Sequence, residues 1–282
     1  MITSRSTLPI EPNLVQKNQA KKLIVIKIGG SILADLPDGF FQDLQYLLKN
    51  DWFPIIVHGG GPAITTMLDR LGINARFVNG LRVTDEQTLE VVQMILNGKE
   101  NSELVKRIQK AGGKALGLSG IDDQMILAEP LNPALGYVGK ITKISFPLLK
   151  FLLAENIIPV ISPLGIDQNG QVYNINADTV AEAIAIELQA KKIFLLSDIP
   201  GIYQNNQGQK KILHLLTPED IEQLKAEQQF FGGMLPKVDA CLQCLQEGIE
   251  EIYILDGREE EVISKVFAKQ LIGTRILRAE VV

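Results

Sequence analysis

Residues 23–30 of the chain read Leu23-Ile24-Val25-Ile26-Lys27-Ile28-Gly29-Gly30, a short apolar run that ends in two glycines. Near-continuous Leu, Ile and Val is typical of a strand buried on both faces of a parallel sheet. Glycines at its end let the backbone approach an anion and present N–H groups to it, although a plain tight turn is the alternative. A buried lysine needs an anionic partner, so Lys27 favours a phosphate-binding turn, unless it lies solvated on an edge strand.

Four more apolar runs follow the same pattern, and helical spacing recurs between them. The runs are Pro54–Val57, Ile157–Ile161, Ile193–Leu196 and Ile252–Leu255. The predicted helices include Pro62–Leu71, Asp178–Ala190 with Asp178 or Thr179 as its cap, and a helix that Thr217 caps. Residues 198–211 predict a β-hairpin with a glycine-containing loop. Strands that alternate with helices predict an α/β fold.

Length and composition limit the possible partners. The chain has 282 residues, 46% of them hydrophobic and 22% charged, and its formal net charge is −5. A mild acidic excess gives no footprint for nucleic acid or an anionic membrane, and no apolar run approaches the roughly 20 residues that span a bilayer. Cys241 and Cys244, three apart on a predicted helix, favour packing over redox or metal chemistry. We therefore expect a cytoplasmic protein without a nucleic-acid or membrane partner.

A second glycine turn, Gly59-Gly60-Gly61, follows the run Pro54–Val57 and leads into a helix at Pro62. Ligands of open α/β sheets bind at the carboxyl ends of the strands, so two such turns together favour a phosphate site. The chain contains neither a P-loop motif nor a Rossmann fingerprint, which makes dinucleotide oxidoreduction an unfavoured interpretation.

Polar side chains cluster at two further places. Asn174, Asn176 and Asp178 would project to one side of an extended segment, with an Asx-rich turn that caps the following helix as the alternative. Arg82 follows the Asn79-Gly80 turn and offers a bidentate fork to a carboxylate, with a surface salt bridge as an equal alternative.

Lys237 lies at another junction between glycines and a helix, where it could bind phosphate or be solvated. His58 could orient the glycine turn that follows it, and His214 has no supporting pattern. Two separated histidines form neither a Ser/His/Asp relay nor a metal cluster.

In order along the chain, these segments resemble the acetylglutamate kinases of the amino-acid kinase superfamily, over roughly residues 22–278. The resemblance is carried by Val25–Gly30, Val57–Pro62, Asn79–Thr84, Gly113–Gly120, Asn174–Asp178, Ser197–Gly201, Gly233–Lys237 and Gly273–Arg275. It implies a three-layer αβα sandwich with a central, mainly parallel sheet. It also implies an N-terminal extension over residues 1–21, an acyl-amino-acid-binding lobe over 22–190 and a nucleotide-binding lobe over 191–282.

The resemblance further implies that ATP phosphorylates the side-chain carboxylate of N-acetyl-L-glutamate, a step of arginine biosynthesis. Lys27 and Lys237 would neutralise the transferring phosphoryl group, and Asp178 would hold the two lysines. The remaining implied residues are Gly60, Gly61, Arg82, Asn174 and Asn176 for the substrate, Gly29 and Gly30 for the γ-phosphate, and Ser197, Asp198 and Gly201 for the nucleotide. Mg²⁺ would arrive on the nucleotide, without a dedicated protein metal site. A carboxylate is already ionised at neutral pH, so no general base is needed.

Regulation is the point where the chain departs from the pattern. Arginine-inhibited members link dimers into a hexamer through an N-terminal helix, and residues 1–20 have a suitable length, so we expect a homodimer or a hexamer. Lys265 and Leu271 stand where those members carry a glutamate and a glycine. This difference predicts weak or no inhibition by arginine.

Two alternatives stay open from the sequence. One is a kinase of the same superfamily that acts on another acyl amino acid, such as a carrier-linked or free aminoadipate. The other is a non-catalytic amino-acid sensor on the same fold, although a sensor does not need Lys27, Asp178 and Lys237 together.

Overall fold

The computed structural model describes residues 22–206, 209–230 and 234–278. Its strands are β1 Lys22–Ile28, β2 Trp52–His58, β3 Phe77–Val78, β4 Leu81–Arg82, β5 Ala115–Ser119, β6 Ile126–Pro130, β7 Gly139–Ile144, β8 Ile158–Ser162, β9 Leu164–Ile166, β10 Val172–Asn174, β11 Lys192–Ser197, β12 Tyr203–Asn206, β13 Gln209–Ile212, β14 Leu215–Leu216, β15 Glu251–Asp256 and β16 Thr274–Leu277. Its α-helices are α1 Asp38–Lys49, α2 Gly61–Arg70, α3 Glu86–Gln93, α4 Asn101–Lys110, α5 Pro147–Ala154, α6 Ala177–Glu187, α7 Pro218–Ala226, α8 Met234–Gln246 and α9 Val262–Phe267. A π-helical turn, Met94–Glu100, joins α3 to α4.

The largest sheet has eight strands in the order β14-β16-β15-β11-β1-β2-β8-β5. The five strands predicted from apolar runs are the neighbours β15, β11, β1, β2 and β8, and all of their pairings are parallel. An antiparallel pairing joins β16 to β15. The prediction of a central, mainly parallel sheet is therefore confirmed.

Helices cover both faces of this sheet, because successive residues of a buried strand point to opposite faces. In β1, Val25 packs in the core that includes α5, α6, α7 and α8. Ile24, Ile26 and Ile28 pack in the opposite core, with α1, α4 and α9. Lys27 shares the face of Val25, so its side chain extends toward the layer that contains α6 and α8. The result is the three-layer sandwich that the family resemblance implied.

A second, four-stranded sheet has the order β10-β9-β6-β7. A parallel bridge from Thr84 to Gly136 connects this region to the segment that carries Arg82, and a second bridge, from Val138 to Asn174, lies within the region. The short hairpin of β3 and β4 turns at Asn79 and Gly80, both of which have positive φ. The second sheet was not predicted from the sequence.

The predicted hairpin over residues 198–211 is present as the antiparallel pair β12 and β13. Thr217 caps α7 through a capping box with Asp220, as predicted. The predicted cap of α6 is wrong, because the side chain of Asn176, not that of Asp178 or Thr179, accepts the first backbone N–H groups. Cys241 and Cys244 are buried on α8, which confirms their packing role.

The predicted division near residue 190 stays a prediction. The central sheet is continuous across it, because β1 pairs with β11. Residues 1–21, and with them the predicted hexamer-forming extension, lie outside the described residues. None of the helices in the described ranges is long and apolar enough to cross a membrane.

Candidate active site

The two glycine turns lie side by side, because they follow the adjacent parallel strands β1 and β2. The Gly59 N–H donates a hydrogen bond to the Ile28 carbonyl oxygen at 2.8 Å. A Cβ atom on Gly30 would lie 2.6 Å from the Gly60 nitrogen and 2.8 Å from the Gly61 nitrogen. Contacts that short with backbone atoms exclude any side chain at position 30. The two turns therefore form one continuous backbone surface.

Three N–H groups on this surface are candidates for binding an anion. Within the described ranges, no residue accepts a hydrogen bond from the N–H of Gly30, Gly60 or Gly61. Gly60 and Gly61 also begin α2, whose N-terminus favours negative charge. The Gly29 N–H is different, since it donates to the Leu196 carbonyl oxygen at 2.8 Å. This bond corrects the expectation that Gly29 donates to the γ-phosphate, because its only N–H is used within the protein.

Lys27 and Asp178 form a charge pair at the edge of the glycine surface. The Lys27 Nζ lies 2.9 Å from Asp178 Oδ1, and the lysine side chain is only 10% exposed. Asp178 lies in the first turn of α6, which Asn176 caps by accepting from the N–H groups of Asp178 and Thr179 at 2.8 and 3.4 Å. The pair accounts for a lysine inside an apolar strand, because a buried ammonium needs a carboxylate. It also holds the ammonium group near the two turns.

A second carboxyl, Glu182, lies one helical turn after Asp178 on α6, and the sequence analysis did not select it. Burial and the negative charge of Asp178 raise the pKa of Glu182 to about 7, while Lys27 and Lys237 act in the opposite direction. Lys237 is half-buried in the first turn of α8, which packs against α6. Because Lys27 and Lys237 both act on Glu182, the two predicted lysines belong to the same cluster of charges. Glu182 could have been predicted from its spacing, because a residue four positions after Asp178 lies on the same face of the helix.

Arg82 lies at the opposite end of the site, next to the start of α2. Its Nη2 donates to the Gly61 carbonyl oxygen at 2.9 Å and to Thr65 Oγ1 at 2.7 Å. Its guanidinium stacks over the ring of Phe77 at 4.7 Å, and burial lowers its pKa. Nη1 is buried and has no hydrogen-bond partner among the described residues. A buried guanidinium N–H without a partner is costly, which points to an anionic ligand.

Arg82 also lines a cavity of about 180 Å³ beside the glycine turns. The cavity brings together Gly60, Gly61, Arg82, Asn174 and Asn176, the complete set predicted for the substrate. Asn174 donates from Nδ2 to Thr84 Oγ1 at 3.1 Å, which leaves its Oδ1 for a ligand. The Oδ1 of Asn176 accepts hydrogen bonds in the α6 cap, so the Nδ2 donor of this side chain is the part left for a ligand.

The residues predicted for the nucleotide lie across the end of β1 from this cavity. Ser197 ends β11, and its buried Oγ has no hydrogen-bond partner among the described residues. A Cβ on Gly29 would lie 3.6 Å from the Ser197 Cα, so this strand end adjoins the first glycine turn. Asp198 is exposed, and Gly201 is buried against Thr274 with a φ of 145°. Gly232 and Gly233, which precede Lys237, lie outside the described residues.

No cluster of three or more His, Cys, Asp or Glu side chains that could hold a metal ion occurs in the part of the chain that the structure describes. The site is built from lysine ammonium groups, backbone amides and one arginine. Such a set can bind and orient polyanions and can stabilise negative charge that develops on phosphoryl oxygens.

These features define a phosphotransferase of the α/β class, and comparison with known proteins agrees. The model of the amino acid kinase family matches residues 22–256, and the chain belongs to that family. Its curated relatives include the acetylglutamate kinase of Brevibacillus brevis, 44% identical over 90% of this chain and 96% of that protein. The acetylglutamate kinase of Clostridioides difficile is 42% identical over 93% of each chain.

Among solved structures, smu.665 from Streptococcus mutans UA159 superposes with a TM-score of 0.79 at 28% identity, covering 91% of this chain and 99% of that one. These comparisons confirm the resemblance and the fold class that the motifs implied. The kinase relatives also imply the use of ATP.

Proposed function

We propose that this chain transfers the γ-phosphoryl group of ATP to the side-chain carboxylate of N-acetyl-L-glutamate, giving N-acetyl-L-glutamyl 5-phosphate for arginine biosynthesis. The relatives named above support the reaction. The observation that carries the choice of substrate is the buried Nη1 of Arg82, which has no hydrogen-bond partner among the described residues, in a side chain that lines a cavity with Gly60 and Gly61.

The acceptor is held at one end by Arg82 and Asn174. The α-carboxylate of the substrate would accept a hydrogen bond from Nη1 of Arg82. The acetamido N–H of the substrate would donate a hydrogen bond to Oδ1 of Asn174. Both groups are already oriented, Arg82 by Gly61 and Thr65, and Asn174 by Thr84. A substrate fixed in this way points its side-chain carboxylate toward the glycine turns. Such positioning replaces the work of a general base, because the nucleophile is already an anion.

The phosphoryl group is held between the glycine surface and the lysines. Gly30, Gly60 and Gly61 supply N–H donors, and Lys27 and Lys237 supply positive charge near the equatorial oxygens. Asp178 holds Lys27 in place through the 2.9 Å contact. The attacking carboxylate oxygen forms a bond to the γ-phosphorus as the bond to the bridging oxygen breaks and ADP leaves. Ser197, Asp198 and Gly201 remain our proposal for the nucleotide end.

Mg²⁺ would arrive bound to the nucleotide. The Asp178 carboxylate is paired with Lys27, which fits a site that receives the ion with its phosphate ligands. The ion would supply charge neutralisation on the β- and γ-phosphate oxygens.

The test measures ADP release and acyl-phosphate formation with N-acetyl-L-glutamate, L-glutamate, N-acetyl-L-aspartate and L-aminoadipate as acceptors. We expect kcat/KM to be highest for N-acetyl-L-glutamate. Higher kcat/KM for aminoadipate would favour the related kinase activity. Nucleotide binding without turnover on any acceptor would favour the sensor.

A matched pair of variants tests the acceptor end. Arg82→Lys keeps the charge but loses the planar fork, so KM for the acyl amino acid should rise roughly 10- to 100-fold, the effect of a lost charged hydrogen bond. Arg70→Lys, at the exposed end of α2, should leave KM unchanged. An unchanged KM in Arg82→Lys would overturn the assignment of Arg82.

We also propose a homodimer in the cytoplasm. The dimer is supported by the exposed apolar side chains of Met94 and Leu116 near the free edge at β5. Light scattering on the purified chain measures the assembly, and a monomer at micromolar concentration would contradict the proposal.

Arginine should have little effect on the enzyme. Lys265 is a cation where an arginine-binding glutamate is implied, and Leu271 is 80% exposed where a glycine is implied. Initial rates with and without millimolar arginine check this prediction, and strong inhibition would contradict it.

A further inference from the structure

His58 is the last residue of β2 and lies fully buried directly before the second glycine turn. Its Nδ1 lies 2.9 Å from the carbonyl oxygen of Gly59. Its Nε2 lies 3.2 Å from Nδ2 of Asn101, the first residue of α4. Neither side chain has a role in the proposed phosphoryl transfer, although His58 contacts the backbone that leads into the phosphate site and Asn101 contacts His58.

These contacts determine which nitrogen of His58 carries the proton. Asn101 Nδ2 also lies 2.8 Å from the Val160 carbonyl oxygen, which can only accept, so this atom is the amide nitrogen and not the oxygen. The same nitrogen lies 3.3 Å from the Leu118 carbonyl oxygen, a further acceptor. The Gly59 carbonyl oxygen can only accept, so His58 Nδ1 must be its donor, and Nε2 then presents a lone pair to the Asn101 amide. The proton of the neutral ring therefore sits on Nδ1, from which it is donated to the Gly59 carbonyl.

The Gly59 carbonyl shares a peptide plane with the Gly60 N–H. The peptide bond is planar and trans, so its C=O and N–H point in opposite directions. When His58 holds the carbonyl on one side, the Gly60 N–H must face the other side, where its nitrogen adjoins Gly30. Glycine has a broad conformational range, so without this hydrogen bond the Gly59–Gly60 peptide could rotate.

We infer that His58 is a positioning residue for phosphoryl transfer: through its Nδ1–H it fixes the peptide plane that aims the Gly60 N–H at the reacting group. Asn101 holds the ring in the required tautomer. The kinetic part of this inference rests on the proposed function, whereas the tautomer and the contacts do not.

The surroundings support a fixed and neutral ring. Burial lowers the pKa of His58 to about 4, so the ring is uncharged at the working pH of an enzyme that uses ATP. Asn101 is itself held closely, because a Cβ on Gly117 would lie 1.9 Å from its Oδ1. The π-helical turn before Asn101 places Leu96 against Gly60, where a Cβ would lie 2.6 Å from Leu96 Cδ2. The Gly59–Gly60 peptide is therefore constrained by His58 at the end of β2 and by Leu96 of the π-helical turn.

Two substitutions separate the contacts of the ring. In His58→Asn the side-chain Nδ2 occupies the place of Nδ1 and can still donate to Gly59, while the contact with Asn101 is lost. In His58→Gln the terminal amide takes the place of Nε2 and can still meet Asn101, while the donor to Gly59 is lost. Both variants replace the ring with a primary amide, and they differ from each other by one methylene group.

We expect His58→Gln to lower kcat about 10²-fold, the effect of one misplaced donor to a transition-state oxygen, with little change in either KM. His58→Asn should keep kcat close to that of the unsubstituted enzyme. Circular dichroism must show both variants folded at the assay temperature. Equal kcat in the two variants, or an unchanged kcat in His58→Gln, would overturn the positioning role.

A measurement on the unsubstituted enzyme decides the case if the variants do not fold. The chain has 2 histidines, so long-range ¹H–¹⁵N NMR spectra of the imidazoles contain only His58 and His214 signals. We expect His58 to show the neutral tautomer protonated at Nδ1. A proton on Nε2 would refute the inference, because Nδ1 could not then donate to Gly59. Absence of turnover with N-acetyl-L-glutamate would instead reject the proposed function and leave this spectrum valid.

Discussion

Acidification should destabilise the folded enzyme through the buried imidazole of His58. The ordinary pKa of a histidine is 6.5, and burial lowers that of His58 to about 4. Between these two values the unfolded chain binds a proton that the folded chain does not. The stabilising contribution is therefore fully present above the unfolded pKa of 6.5 and is lost as the pH falls toward the folded pKa of about 4.

The size of the effect follows from the two pKa values. A gap of about 2.5 pKa units corresponds to about 3 kcal/mol once both states are protonated. Between about pH 7.5 and about pH 5 the expected loss is about 2 kcal/mol, because the folded state stays neutral at the lower pH. Such a loss is a substantial part of the total stability of a domain.

Another buried group acts in the opposite direction. The pKa of Glu182 is raised from 4.5 to about 7, so its contribution is present below the unfolded pKa and is lost as the pH rises through the folded pKa. The pH dependence of the free energy of unfolding therefore contains contributions from both His58 and Glu182. A variant that lacks only the His58 contribution is needed to separate them. His58→Asn cannot titrate at position 58 and keeps Glu182 unchanged.

The assay is urea unfolding of the unsubstituted enzyme and of His58→Asn at both pH values. The difference in free energy of unfolding between the two proteins should shrink by about 2 kcal/mol at the lower pH. If the difference is the same at both pH values, within the error of the extrapolation, His58 does not titrate as its burial requires and the reasoning fails.

Three substitutions test the remaining features of the site. Lys27→Ala should lower kcat about 10²- to 10³-fold, because it removes a charge at the transferring phosphoryl group; Lys49→Ala, at an exposed helix end, is the control, and full activity of Lys27→Ala would exclude the role. Gly30→Ala places a methyl group 2.6 Å from the Gly60 nitrogen, so we expect about 1–3 kcal/mol of lost stability and about a 10²-fold lower kcat. Wild-type rates and melting temperature for that variant would contradict the close contact. Asn176→Ala removes the α6 cap and should cost about 1 kcal/mol in urea unfolding. A rise in KM for the acyl amino acid beyond this loss would show that the Asn176 amide also binds substrate.

The sequence predicted the strands of the central sheet well, because each is a run of apolar residues that only a sheet covered on both faces can bury. It did not predict the second sheet. Its members include β9 and β10, which are only three residues long and lack a periodic pattern. Such strands form because tertiary contacts favour them, and local sequence carries little of that information.

The site shows the same division between local and long-range information. The sequence placed Asn174, Asn176 and Asp178 on one side of an extended segment, but local spacing could not tell that Asn176 caps α6 and that Asp178 pairs with Lys27. Glu182 passed unnoticed because its importance comes from the charges that surround it on α6, β1 and α8. A helical glutamate is otherwise an ordinary residue.

The sequence alone indicated the class of chemistry: a lysine in an apolar strand and glycines at two strand ends favour a site for phosphate, because a buried ammonium and close backbone N–H groups both suit an anion. Only the tertiary structure decided which N–H groups are available. The pairing of β1 with β11 uses the amide of Gly29, whereas the amides of Gly30, Gly60 and Gly61 have no acceptor among the residues that the structure describes. Hydrogen-bond availability depends on the neighbouring strand, and the order of strands in a sheet is a long-range property that no local segment contains.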